Sequence, residues 1–434
     1  MAAILEAPTR VVTPTADLVR NASHVGFSGR APALPLLAAA PHRLLFFIGA
    51  ANVLMAMAWW ALWLVALRWQ VVALPQPRIP GGYLHAIIMQ YQVLTPFIFG
   101  FLLTVFPRWM GLPALTRWHY VPVGLGLFGG QLLTLVGLWG VPHLVFLGLV
   151  QTLAGWTAGL FFLIALLRRE SGCTWHARSC AAALALGWLG LVLILAYLYT
   201  NDPRLVVAAI KLGSFGLLLP VYFTVNHRMT PFFASVVVPG YVVRRPMAAL
   251  AAFWALALAH LALELGQCNA WLWLPDLPLA GLTAWLLWQW WPRAPDTELP
   301  ALLRVLFIGF AWLPIAFLLY AGQSVWLAGS GEFVLGRAPA HALFIGYFGS
   351  LLVAMVTRVT QGHSGRPLEL GRVAAFAFAA VQLVALLRIG GEVTRDPIAW
   401  QVVAAFGWLL AFLPWVLRSG WIYLTPRADG KAEA

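Results

Sequence analysis

Long apolar runs separated by short polar segments dominate this chain from residue 44 onward. A helix of about 20 apolar residues crosses the hydrocarbon core of a bilayer, and the runs have that length. Prolines, glycines and charges cluster between the runs and end them. The pattern predicts twelve transmembrane spans, at residues 44–67, 83–106, 121–139, 143–167, 179–200, 204–226, 246–265, 272–291, 301–322, 339–360, 372–390 and 398–418.

The predicted fold class is therefore all-α, a polytopic membrane protein with about twelve helices. A β-barrel would show short segments of alternating polarity instead of long apolar runs. Three regions follow from the spans: an N-terminal arm at 1–43, a transmembrane domain at 44–418 and a short tail at 419–434. The first 31 residues are polar and mixed and show no cleavable signal pattern, so we expect the first span to be retained.

Composition supports this class of protein. Hydrophobic residues make up 62% of the chain and charged residues 9%, whereas soluble proteins average roughly 45–50% and about 25%. The excess of 27 Lys and Arg over 14 Asp and Glu could indicate a nucleic-acid partner. The basic residues form no cluster and lie between apolar runs, so we predict the lipid bilayer as a partner and no nucleic acid.

The positions of the basic residues predict the orientation. With twelve spans, both termini and every connection from an even to an odd span lie on one side of the membrane. That side holds twenty of the 27 basic residues, the opposite side holds six, and Lys211 lies inside the sixth span. Because basic residues concentrate on the cytoplasmic side of membrane proteins, both termini are predicted to be cytoplasmic.

An internal echo links the second and tenth spans. Both contain His-Ala followed by an aliphatic residue, and a Tyr lies six residues after the His: His85 with Tyr91, and His341 with Tyr347. The two spans are eight apart and enter the membrane from the same side. A four-helix unit repeated three times would superpose them, although the sixth span, the expected third copy, has no His at its start.

His85 and His341 are the first candidates for chemistry, because polar groups inside a bilayer are costly and often functional. Both are predicted near the outer ends of their spans. Imidazoles from two facing helices can hold a haem iron within a bundle, with apolar neighbours around the ring. The alternative is structural: each His forms a hydrogen bond with a backbone carbonyl at a helix end.

A second group of candidates lies on the inner side. His227 and Arg228 follow the sixth span, and Arg358, His363 and Arg366 lie at the end of the tenth. Imidazole can ligate a metal while guanidinium binds a carboxylate such as a haem propionate. A second metal or haem site between these spans is chemically sensible. The alternative is that the arginines are cytoplasmic anchors of the kind that topology demands.

Two further ionisable groups, Lys211 and Glu264, lie within apolar runs, and His260 precedes Glu264 by one helical turn. Either a proton path or an ion pair would explain them. The chain has no phosphate-binding loop, nucleophile elbow or H-E-x-x-H motif. Hydrolases and nucleotide-driven transporters therefore lose their main support.

Three segments of the chain resemble the NnrS family. Residues 100–109, preceded by His85, are similar to the family's second-helix signature. Residues 341–367 resemble its tenth-helix signature, which ends in Thr-Arg-Val-x-x-Gly-His-x-Gly-Arg-Pro, and residues 227–233 resemble its Arg-x-x-Pro-Phe-Phe motif. One departure matters: the family commonly shows Trp-His-x-His-Glu-Met where this chain has Leu-His-Ala-Ile-Ile-Met at 84–89. Roles of the missing His and Glu cannot be carried over.

The resemblance implies a multi-pass protein of the bacterial inner membrane that contains haem, which we expect to be of the b type, and allows copper. It implies a role in nitric oxide metabolism and protection against nitrosative stress. With the family in view, His85 and His341 are expected to be axial haem ligands. His227 and His363 become the second candidate site, for copper or another haem, with Arg228, Arg358 and Arg366 as its basic neighbours.

The expected function is a haem-binding redox protein or a nitric oxide reductase-like enzyme with haem between helices 2 and 10. The layout resembles the haem-copper oxidase bundle by analogy only, because the paired copper histidines of those enzymes on helix seven are absent and this span offers only His260. A transporter or exporter of a metal or metal-nitrosyl species is the alternative function. A membrane sensor whose haem controls a partner is a third hypothesis.

Overall fold

The computed structural model of the protein describes residues 33–293 and 298–431. Most of the predicted N-terminal arm, with Arg10, Arg20 and Arg30, lies outside the described residues, as do residues 432–434. The last helix continues to Leu424, so the C-terminal tail is six residues shorter than the predicted segment beginning at 419.

The described residues form twelve long helices. They are α1 (Pro41–Trp69), α2 (Gly81–Trp109), α3 (Arg117–Gly137), α4 (Pro142–Arg169), α5 (Trp175–Thr200), α6 (Pro203–Val237), α7 (Met247–Leu265), α8 (Trp273–Trp290), α9 (Ala301–Ser330), α10 (Ala338–His363), α11 (Arg372–Gly391) and α12 (Pro397–Leu424). Each contains most of one predicted span. The prediction of an all-α polytopic fold is confirmed.

Eleven of these helices are long and apolar enough to cross a membrane, and α8 is not among them. Two prolines, Asp276, Gln289 and four tryptophans lower the mean hydropathy of α8. It packs closely along α9 and also contacts α7. The polar residues of α8 therefore face other helices for the most part; Asp276, for example, is fully buried.

Several helix ends follow directly from the sequence. Proline is the first residue of α1, α4, α6 and α12, where its missing N–H costs nothing because that position has no partner within the helix. Asp202 and Asp396 cap α6 and α12 by accepting hydrogen bonds from the backbone N–H groups of Arg204 and Ala399.

Three helices lie at the centre of the bundle. In its most apolar window, α2 is 94% buried, α10 78% and α6 67%, whereas α4, α7 and α11 are each 39% buried. The less buried helices have faces left for lipid. The central position of α2 and α10 fits the requirement that ligands for a buried cofactor must project from inner helices.

Each central helix contains a π-helical segment: Ile88–Val93 in α2, Leu212–Leu218 in α6 and Ala342–Gly349 in α10. A π-turn inserts an extra residue into the helix and is frequent at functional sites. Because the segments recur in every fourth helix, they support the four-helix repeat that the echo between His85 and His341 predicted.

The sixth span was the expected third copy, but it has no histidine at its start to support it. Its signal is a proline spacing: Pro96 and Pro107 in α2 are eleven residues apart, as are Pro220 and Pro231 in α6. The same offset of 124 residues brings the start of the π segment in α2 onto the start of the one in α6. At the position of His85, α6 has Ala209.

Glycines set the contact between α3 and α4, which run closely side by side. A Cβ atom on Gly130 would lie 2.6 Å from the carbonyl oxygen of Gly148, and one on Gly126 would meet the backbone of Gly155. Small residues allow helix backbones to approach within a membrane, where packing replaces the hydrophobic effect as the source of association.

The three free cysteines allow a test of the predicted orientation. Cys268 is exposed in the connection between α7 and α8, Cys173 is exposed between α4 and α5, and Cys180 is buried in α5. A membrane-impermeant maleimide should label Cys268 from outside intact spheroplasts and Cys173 only after permeabilisation. Cys180 should react only in unfolded protein.

Mass spectrometry of the labelled peptides would measure this, with Cys268→Ser and Cys173→Ser variants as matched controls. Labelling of Cys173 in intact spheroplasts, with Cys268 protected, would reverse the orientation.

Candidate functional site

A cavity of about 320 Å³ lies among the three central helices and is closed by α1, α11 and α12. Its lining includes Met89 and Gln90 of α2, Ser214 of α6 and Phe344 of α10, which belong to the three π segments. The volume is in the range of small-molecule binding sites. The π segments therefore frame a space instead of a close-packed contact.

His85 and His341 both line this cavity. His85 lies three residues before the π segment of α2, and His341 lies immediately before the π segment of α10. The structure thus brings together the two residues that the sequence predicted as a pair.

The hydrogen bond of His341 determines which ring nitrogen is available. His341 Nδ1 lies 2.9 Å from the carbonyl oxygen of Arg337, one turn earlier. A carbonyl can only accept, so Nδ1 carries the hydrogen and Nε2 keeps its lone pair. This is the backbone hydrogen bond of the structural alternative. It is also the arrangement that orients a metal-binding imidazole, so the two interpretations do not exclude each other.

An aromatic ring holds His85. The indole of Trp60 in α1 stacks on its imidazole, with 4.2 Å between the ring centroids and 9° between the planes. Neither ring nitrogen of His85 has a hydrogen-bond partner within the described part of the chain. The side chain is therefore oriented by stacking while both nitrogens remain available.

Three cationic side chains line the same cavity: Lys211, Arg337 and Arg388. Arg388 is nearly buried and pairs with Glu392 one turn later in sequence. The sequence interpretation counted both arginines only as outer-side topology charges. The sequence offered one sign that Arg388 has a further role: it lies at the end of an apolar run, where a charge often has a partner or a function.

The predicted second site is not assembled as expected. His227 lies within α6, which runs eleven residues past the predicted span end at 226, and its Nδ1 lies 2.9 Å from Nε2 of His176 in α5. His227 Nε2 lies 3.1 Å from the carbonyl oxygen of Pro246 and must donate to it. Both ring nitrogens of His227 are thus engaged, and His363 is not its neighbour.

His363 contacts a different histidine, His42 in α1, with 4.3 Å between ring centroids. Its Nε2 lies 3.5 Å from the guanidinium of Arg108, and its backbone carbonyl accepts a hydrogen bond from Arg427. His42 and His176 were missed as partners because sequence spacing cannot show contacts between helices that are distant in the chain.

The three predicted inner-side arginines also have separate environments. Arg228 lies over the ring of Trp109 at 4.4 Å, and Arg358 lies over Phe233 at 4.0 Å. Such cation–π contacts stabilise a guanidinium away from water. Arg366 lies in the loop after α10, where burial, and then the nearby cations Arg418 and Arg43, lower the pKa of its guanidinium. None of the three lines the His85 and His341 cavity.

Lys211 and Glu264 form the ion pair that was one of the two sequence hypotheses for them. Lys211 Nζ lies 2.6 Å from Glu264 Oε1, which joins α6 to α7. Across residues 33–293 and 298–431, no three His, Cys, Asp or Glu side chains are grouped as a multi-ligand metal site would require.

A smaller apolar cavity of about 70 Å³ lies further along the same central helices. Phe97, Val225, Leu352 and Phe46 are among its lining residues, and Tyr222 and Asn226 are its polar members. A space of this size with few polar groups suits a small apolar molecule better than water.

Fold and site together define a polytopic helical membrane protein in which two imidazoles from central helices face one cavity. The chain belongs to the NnrS family, because the model of that family, described as NnrS protein, matches residues 36–427. The resemblance stated from the motifs is thereby confirmed. Membership makes this a membrane protein related to nitric oxide at the level of the family, which is generally associated with haem and metal. No curated protein matches the chain.

The contact between α6 and α10 can be tested at Asn226. Its Nδ2 donates to the Tyr347 hydroxyl at 3.0 Å, and its Oδ1 accepts from Thr230 at 2.9 Å. Asn226→Leu would leave both hydroxyls buried and unpaired, at a cost of about 1–3 kcal/mol. We expect a lower thermal midpoint in detergent, measured by intrinsic fluorescence.

The matched control is Ser330→Ala, at an exposed residue whose hydroxyl donates to the Trp326 carbonyl and accepts from the backbone N–H of Glu332, without joining two long helices. An unchanged midpoint in Asn226→Leu would show that these hydrogen bonds do not stabilise the bundle.

Proposed function

We propose that this protein is a haem-binding redox protein of nitric oxide metabolism, with haem held between α2 and α10 by His85 and His341. The observation that carries the proposal is the pair of imidazoles on one cavity, where Nε2 of His341 keeps its lone pair. Family membership supports the link to nitric oxide. We further propose the bacterial inner membrane as its location, with cytoplasmic termini.

The residues around the cavity fit a haem in chemical type. His85 and His341 would supply the two nitrogen ligands, and Trp60, Phe344 and Trp408 would supply apolar walls. Arg337 and Arg388 would pair with carboxylates such as propionates, because guanidinium binds carboxylate through two parallel hydrogen bonds. These two arginines replace Arg228, Arg358 and Arg366 as the proposed anchors.

A haem held by His85 and His341 would supply one-electron transfer. The chain's own residues determine how stable that arrangement is. The Arg337 carbonyl fixes the ring of His341, and Trp60 fixes that of His85. The metal affinity of such a site falls roughly 10–100-fold when the groups that orient its histidines are removed.

Copper stays a prediction from the family. Both ring nitrogens of His227 are engaged in hydrogen bonds, so a second metal would have to engage His363 instead, or displace those bonds. Metal analysis of purified protein would test this directly.

The optical spectrum of the purified protein tests the haem proposal. Wild type should show a Soret band with iron in the sample, and His85→Ala or His341→Ala should lose most of that absorbance because each removes one of the two histidines that would hold the haem. His143→Ala, at an exposed position near the start of α4, is the matched control and should retain it.

Absence of a Soret band from wild type, or an unchanged band in both ligand variants, would overturn the proposal. Metal that is lost on dialysis, without haem, would instead favour the transport function.

A further inference from the structure

Four ionisable side chains form a continuous buried chain beside the cavity. Lys211 Nζ lies 2.6 Å from Glu264 Oε1, Glu264 Oε2 lies 3.6 Å from His260 Nε2, and His260 Nδ1 lies 2.6 Å from Asp276 Oδ1. These residues come from α6, α7 and α8. The side chains of His260 and Asp276 are fully buried, and that of Glu264 is 5% exposed.

One end of the chain of charges opens into the cavity. Lys211 lines the same space as His85 and His341, and a third of its side chain is exposed there. The other end, Asp276, lies in the first turn of α8, just after the connection from α7 that topology places on the outer side. The four residues thus extend from the proposed haem cavity to the buried first turn of α8.

The charges of the network balance only with one additional proton. With Lys211 protonated and both carboxylates ionised, the network carries a net charge of −1 when His260 is neutral and 0 when it is an imidazolium. An uncompensated charge within the membrane is costly. Protonation of His260 therefore changes the net charge of the network from −1 to 0.

Three buried polar atoms of the network have no hydrogen-bond partner among the described residues: His260 Nε2, Glu264 Oε2 and Asp276 Oδ2. Buried polar atoms are nearly always paired, so unpaired ones require an explanation. A purely structural ion network would satisfy them. Unpaired acceptors on both carboxylates are instead what a site that gains and releases a proton needs.

No other charged side chain among the described residues contacts His260. Glu264 on its own helix, Asp276 from α8 and Tyr320 from α9 face it directly. Phe215 packs on its ring with 3.8 Å between the ring centroids, and Lys211 of α6 is linked to it through Glu264. Phe215 and Tyr320 also line the cavity. These two aromatic rings therefore separate the imidazole of His260 from the cavity. Lys211 is the charged residue that both lines the cavity and pairs with Glu264.

We propose that Asp276, His260, Glu264 and Lys211 form a proton-loading site that takes up one proton from the outer side when the cavity gains one electron. The proposal rests on the proposed function, since the electron resides on the haem. A one-electron reductant adds one negative charge to the cavity. With Asp276 ionised, His260 Nδ1 carries the hydrogen that it donates to Asp276 Oδ1, so the proton taken up from outer water binds the unpaired Nε2. His260 then carries N–H on both nitrogens, and its positive charge offsets the added electron.

The midpoint potential of the haem as a function of pH tests this in the purified full-length protein. A tenfold change in equilibrium constant corresponds to about 59 mV for a one-electron couple. The wild-type potential should fall by up to about 59 mV per pH unit between about pH 5 and 8, the range in which histidine switches charge. Asp276→Asn and His260→Gln should flatten the slope.

The matched control is Asp396→Asn, an exposed acid that pairs with Arg68 at the start of α12 and should keep the wild-type slope. Glu264→Gln serves if His260→Gln fails to fold. A potential that is independent of pH in wild type, or a slope that survives in both network variants, would overturn the proposal. Loss of the Soret band from wild type would instead remove the proposed function.

Discussion

A bilayer offers no water to a buried polar group, so such groups in this protein pair with one another, within a helix or between helices. The partners that result join the central helices. Gln90 of α2 donates to Ser214 of α6, and Asn226 of α6 donates to Tyr347 of α10. Because lipid is as apolar as leucine, these hydrogen bonds and close packing take the role that the hydrophobic effect has in water. They fix the positions of the three helices on which the cavity depends.

The same constraint explains why the cavity is where it is. A π segment interrupts the regular spacing of side chains, and each central helix has one at the level of Gln90, Ser214 or Phe344. Residues of all three segments line the cavity, and the hydrogen bond from Gln90 to Ser214 joins α2 to α6 beside it. The presence of His85 and His341 at this level, with Ala209 in the third copy, makes the repeat asymmetric. Three repeated helices thus present two imidazoles to the cavity.

The sequence predicted His85 and His341 as a pair, and both line one cavity, whereas the residues predicted for the inner side have separate environments. His85 and His341 were recognisable because a repeated motif placed them at matched depth. Arg337 and Arg388 were counted as topology signals, since a charge near a helix end is explained by orientation alone. His227 was assigned to the edge of the membrane because the apolar run stops at 226, yet α6 continues to Val237 and turns the imidazole toward His176.

By itself the sequence determined the membrane class, the all-helical fold and the positions of the long helices, because hydropathy is a local property that the bilayer sorts directly. The orientation and the haem ligands stay predictions. The tertiary structure alone decided which helices are central, which cations line the cavity, and that Lys211, Glu264, His260 and Asp276 form one network. Those contacts connect residues from separate helices; Lys211 and Glu264, for example, are 53 positions apart in the sequence. In apolar sequence many helix faces are chemically alike, so only packing selects the face on which each polar side chain meets its partner.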